Sequence, residues 1–228
     1  MLIAAADVGS VDKDRFAWFA TDAAGNRRGA ELNAHDPVDL AQCIKAALVA
    51  GESVALGFEC PLALPVPVGA ADLGRQRLNE GRHTWSSGGG AAALASGTVQ
   101  LSWVLRAVGP RTRVTVRPER WPDRAPLLLW EAFVAGAYKP KLRADEDAKD
   151  VHRADAEAAV VGFRKLGLPL PTAGRISIDP TSGVLNIAAA AALTHGLTID
   201  VDELSAPILI VDGDPDRGHP PTANPASS

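Results

Sequence analysis

The apolar positions of this chain fall into short unbroken runs and longer periodic ones, and the alternation predicts an α/β protein. Leu2-Ile3-Ala4-Ala5-Ala6 is unbroken and too short for a helix, so it reads as a strand covered on both faces, punctuated by Asp7-Val8-Gly9-Ser10. Residues 15–20 read as a second strand, 22–26 as a turn and 27–32 as a third strand. Asp36-Pro37 is a helix-opening pair, with Asp36 as N-cap and Pro37 in the first turn. Leu40, Ile44, Ala47 and Leu48 then recur at helical spacing up to Gly51. Ser53 to Phe58 is a fourth strand ending at Glu59, and Leu127 to Glu131 a fifth, again ending in a carboxylate. Helices are expected over 91–108, 149–166 and 184–194. The 149–166 helix buries Ala156, Val160 and Phe163 and stops at Gly167 with Pro169 beyond. Residues 207–211 form a last strand.

Between these elements the sequence is less regular. Cys60-Pro61-Leu62-Ala63-Leu64-Pro65-Val66-Pro67 cannot run through the middle of a sheet, because proline lacks the donor a ladder needs. Residues 60–95 read as an insertion in a single domain spanning 1–212, and connections this long are usually functional or disordered. Within it, Arg82, His83 and Trp85 offer cations and an aromatic face for stacking on a base, or else a loop held by ordinary packing. Ser86-Ser87-Gly88-Gly89-Gly90 lacks the flanking residues of a phosphate-binding loop and reads as a hinge or lid. Arg106, Arg111, Arg113, Arg117, Arg120 and Arg124 form either a phosphate-tracking strip or a surface balanced by acids. Residues 213–228 read as a disordered tail.

Composition narrows the partners. The chain has 228 residues, 46% hydrophobic and 22% charged, with a net charge of −4, which gives no support to a histone-like basic binder. Nucleic-acid contact would need a local patch. Cys43 and Cys60 sit in apolar segments without a metal or disulfide pattern, so a reducing, cytoplasmic setting is expected. Residues 1–20 do not resemble a signal peptide, and the apolar run at 184–193 is too short to span a bilayer. No membrane association is expected.

Candidate chemistry centres on acids. Asp7 and Glu59 end two buried strands, while His152 and Asp155 lie three residues apart on one helix face. Each also has an ordinary reading: Asp7 as a turn residue, Glu59 as a surface carboxylate, His152 and Asp155 as solvated helix residues. If neighbouring strands ended at one sheet edge, clustered carboxylates would need a cation, and hard oxygen ligands suit Mg²⁺ or Mn²⁺. Glu131 either joins such a cluster or simply caps its strand.

Asp7 on strand one, Glu59 on strand four and His152-Arg153-Ala154-Asp155 resemble the ribonuclease H-like superfamily. The helix motif is closest to that of RuvC-type Holliday-junction resolvases. The layout, including Glu59-Cys60-Pro61-Leu62-Ala63-Leu64-Pro65, is similar to a bacterial group labelled predicted nucleases of ribonuclease H fold. The resemblance implies a mixed five-stranded sheet of order 3-2-1-4-5, strand two antiparallel, flanked by helices. It also implies a divalent-metal nuclease with Asp7, Glu59 and Asp155 as metal ligands and His152 as ligand or proton shuttle. RuvC-type resolvases are usually basic dimers; this chain is acidic and carries an insertion, so a homodimer stays open. Two other functions compete. Asp7-Val8-Gly9-Ser10 fits the opening of actin-like, sugar-kinase-type phosphotransferases, but no second such loop precedes a strand, and Asp212-Gly213-Asp214 follows the last one. A non-catalytic binding protein using the arginine and tryptophan region is the third.

Overall fold

The unbroken apolar runs become the centre of a six-stranded sheet. A computed structural model describes residues 1–217. β1 (Leu2–Asp7) pairs antiparallel with β2 (Ala17–Asp22) and parallel with β3 (Val54–Phe58). β6 (Leu127–Phe133) lies parallel beside β3. Beyond β6, β5 (Val114–Thr115) and β8 (Ile210–Asp212) pair with its two ends, giving the order β2-β1-β3-β6-β5 with β8 also on β6. The sheet is therefore mixed but mostly parallel.

Period-two alternation divides its side chains between two cores. Leu2, Ala4 and Ala6 of β1, Val54, Leu56 and Phe58 of β3 and Leu127 and Leu129 of β6 pack with α1 (Pro37–Val49), α2 (Gly88–Val108) and α4 (Ile187–Thr194). Ile3 and Ala5, Ala55, and Leu128, Trp130 and Ala132 pack with α3 (Val151–Lys165) on the opposite face. The result is an α/β/α sandwich with one helix on the second face. Local chemistry explains the helix ends. Asp36 accepts from the Val38 amide with Pro37 in the first turn, and Asn186 accepts from the Ala189 amide at the start of α4.

Several expectations are corrected. Residues 27–32 do not form a strand; apart from one bridge between Thr21 and Arg27, the chain turns away. Gly29 adopts φ +65°, and a Cβ there would sit 2.8 Å from the Trp18 ring, so the ladder breaks where the chain wraps over that indole. Gly88-Gly89-Gly90 are not a hinge but the first turn of α2, with Ser87 as N-cap. Position 90 must be small, because a Cβ would lie 2.2 Å from the Thr84 carbonyl. The apolar run at 184–194 is divided at Asn186: its first part is β7 (Gly183–Asn186), which pairs antiparallel with β4 (Ala63–Val66) in a separate ribbon, and the helix starts only afterwards. The Pro-rich segment accordingly stays out of the main sheet. Glu131 lies inside β6, not at its end.

Residues 213–217, expected to belong to a disordered tail, are held against the fold. The Gly213 amide donates to Phe133 O and the Asp214 amide to Ala158 O, while buried Arg217 pairs with Glu146 and Glu157. Residues 218–228 lie outside the described residues. The arginine run finds its acids across the chain, Arg120 pairing with Asp200, Asp202 and Glu203 and Arg117 with Asp202. Among the described residues no helix is long and apolar enough to cross a membrane.

Candidate metal centre

β1 and β3 are parallel neighbours in the register Ala6↔Phe58, and the Glu59 amide donates to Ala6 O at 2.8 Å. Asp7 and Glu59 therefore stand side by side at the carboxyl edge, the usual ligand-binding edge of an open α/β sheet. Both belong to the alternation that faces α3. That helix presents Asp155 to them, one turn above His152. One carboxylate oxygen from each of Asp7, Glu59 and Asp155 lies within 4.8 Å of the others. Small residues bring α3 this close: Ala154, Ala156, Ala158 and Ala159 are buried, and at Gly162 a Cβ would be 2.2 Å from Asp212 O.

The surroundings are partly compensated. His152 Nδ1 is 2.7 Å from Asp7 Oδ2, and Lys139 Nζ donates to Asp155 Oδ2 at 2.5 Å. Glu59 Oε2 and Asp155 Oδ1 are buried with no hydrogen-bond partner among the described residues. Burial pushes the Glu59 carboxyl well above its usual range, and the charges of Asp7 and Asp155 push it further. Burial also raises Asp155, against the opposing effect of Lys139. The hydrogen bond to Asp7 raises His152, with burial acting against it. Burial disfavours charge on Lys139, but its hydrogen bond to Asp155 together with the charges of Asp155, Glu59 and Asp7 leaves its pKa raised. Two of its carboxylate oxygens thus lack a partner among the described residues, and they are hard donors.

The other candidates fall elsewhere. Glu131 is in register with Phe58 and so faces the α1/α2 side, where Oε2 accepts from the Leu62 amide and from Arg77. Arg77 also pairs with Glu80, and all three side chains are buried. Glu131 is thus a clamp on the insertion, not part of the acid cluster. His83 and Trp85 line a cavity beside Glu59, whereas Arg82 is exposed and outside its lining. Lys139 was not anticipated, because it sits in an unpatterned polar connection between β6 and α3. The Arg77–Glu80–Glu131 network escaped for the same reason, its members being 3 and 51 residues apart.

Comparison with family models, curated proteins and solved structures finds no match for this chain.

Proposed function

We propose that this protein is a divalent-metal-dependent phosphodiesterase acting on DNA or RNA, with Mg²⁺ or Mn²⁺ held by Asp7, Glu59 and Asp155. The observation that carries the reading is the meeting of three carboxylates within 4.8 Å, two of them with buried, unpartnered oxygens. Such a group is costly to bury without a cation, and an all-oxygen set fits these hard ions. When bound, such ions supply Lewis acidity to a phosphoryl oxygen and lower the pKa of a water. The chain's own residues do the rest. Asp7 fixes the His152 ring through Nδ1, and the imidazole, 29% exposed, holds a proton at the solvent side of the carboxylates. From there it serves a departing oxygen as general acid. Lys139, tied to Asp155, offers its remaining donors to a phosphate. The order of the motif residues, an aspartate on the first strand, a glutamate after its parallel neighbour and a histidine–aspartate pair on a late helix, supports the ribonuclease H-like reading.

The test is a titration of Mg²⁺ and Mn²⁺ into the wild type and Asp7→Asn, following melting and cleavage of labelled DNA and RNA. At 100 times Kd a bound ion is expected to raise Tm by roughly 5–10 °C, given about 2.7 kcal/mol of linkage for a chain of this size. Both that shift and cleavage should vanish in Asp7→Asn. Indifference to both ions, with ATP stabilising the protein instead, would replace this reading by the phosphotransferase.

A further inference from the structure

A cavity of about 440 Å³ opens directly beside the acid cluster, with Glu59 and Lys139 in its wall. That volume lies in the range of small-molecule sites. Its apolar surface comes from Pro61, Trp85, Ala93 and Phe133, flat or small side chains from four separate segments. Trp85 is fixed at both ends: its amide donates to Glu80 Oε1 at 2.8 Å and its indole Nε1 to Arg75 O at 3.0 Å. His83 reaches across to the turn after β6, where a Cβ on Gly136 would be 3.4 Å from its Nε2.

Arg77, Glu80 and Glu131 contribute to the cavity wall an ion-paired group whose side chains are at most 2% exposed. At about 440 Å³ the cavity accommodates a ligand of one nucleotide's size. Gly89 and Gly90 line the cavity with the first turn of α2, whose amides the Ser87 side chain does not cap, its hydroxyl donating to Thr84 O.

We propose that this cavity seats the terminal nucleotide of a single strand. The base lies between Trp85 and the apolar wall, and the phosphate faces Lys139 and the metal centre, so that the enzyme trims chain ends. Stacking on one aromatic face is sequence-tolerant, so all bases are accepted. The inference rests on the nuclease reading for the chemistry, but seating a nucleotide does not require cleavage.

The experiment has two arms on the full-length protein. Calorimetry with the four 2′-deoxynucleoside 5′-monophosphates, in Mn²⁺, should show binding markedly tighter than that of inorganic phosphate. Ala93→Phe, which fills the cavity without touching the carboxylates, should weaken that binding at least tenfold, as should Trp85→Ala, both with unchanged cooperative melting. Circular and linear single-stranded DNA of one sequence form the second arm, and only the linear form should be degraded, in one-nucleotide steps. No binding of the monophosphates, binding that survives both variants, or cleavage of the circle at the rate of the linear strand would overturn the inference. If neither DNA is cleaved, trimming of DNA is ruled out, cleavage of labelled RNA decides the nuclease reading, and calorimetry decides whether the cavity takes a nucleotide.

Discussion

Glu59 and Glu131 differ by one step of parity, and that step decides their chemistry. Glu59 follows Ala55 and Gly57 on the α3 face, beside Asp7; Glu131 stands opposite Phe58 on the other face, within reach of Arg77. The alternation was legible in the sequence, since Leu127 and Leu129 share the parity of Glu131. What the sequence withheld was the register of β6 against β3, on which the assignment depends. The two roles give opposite responses to a neutral isostere. Glu59→Gln replaces a carboxyl whose charged form is disfavoured by burial and by Asp7 and Asp155 with a neutral amide that can donate to them. In chelator, we expect it to be more stable than the wild type by about 1 kcal/mol in urea denaturation, while losing its thermal response to Mn²⁺. A less stable Glu59→Gln would mean that the carboxylate is a structural group.

Helices and buried strands were readable because each carries enough apolar positions to fix its period. The elements that escaped are those too short to carry one: β5 has two residues, and β4 and β7 have four each, with Pro65 inside β4. The expected strand at 27–32 failed for a different reason: the segment carries no β-branched or aromatic residue, and the chain leaves the ladder after Arg27, where Gly29 packs on Trp18. Packing between elements is equally specific at β3. A Cβ on Gly57 would lie 2.4 Å from the Trp130 ring, which is fully buried and stacked on Phe163 at 4.8 Å between centroids. The indole has nowhere to retreat. Gly57→Ala should cost about 1–3 kcal/mol in the same denaturation experiment, through overpacking between sheet and α3. It should also disturb the metal response, since Glu59 lies two residues on.

On the scale of the whole molecule, the chain after β8 is tied back to α3 by ions. Arg217 pairs with Glu146 and Glu157, and Arg143 and Arg153 complete the group. The Arg217 hydrogen bond holds the Glu146 carboxyl down at about 2. A depressed carboxyl stabilises the fold above its unfolded value near 4.5, and that stabilisation is lost as pH falls toward 2. Glu146→Gln should therefore lower stability at pH 7 by roughly 2–3 kcal/mol and flatten the acid limb between those two values, as followed by circular dichroism. None of this was visible beforehand, because the partners are separated by up to 71 residues and the run at 213–217 has the composition of a tail. Lys139 has a consequence at this scale too. By standing against Asp155 it gives the acid cluster a partial counter-ion from within the chain. On the proposed metal-dependent reading, metal starvation should then silence the protein without exposing it to degradation, and resupply should restore it with no new synthesis.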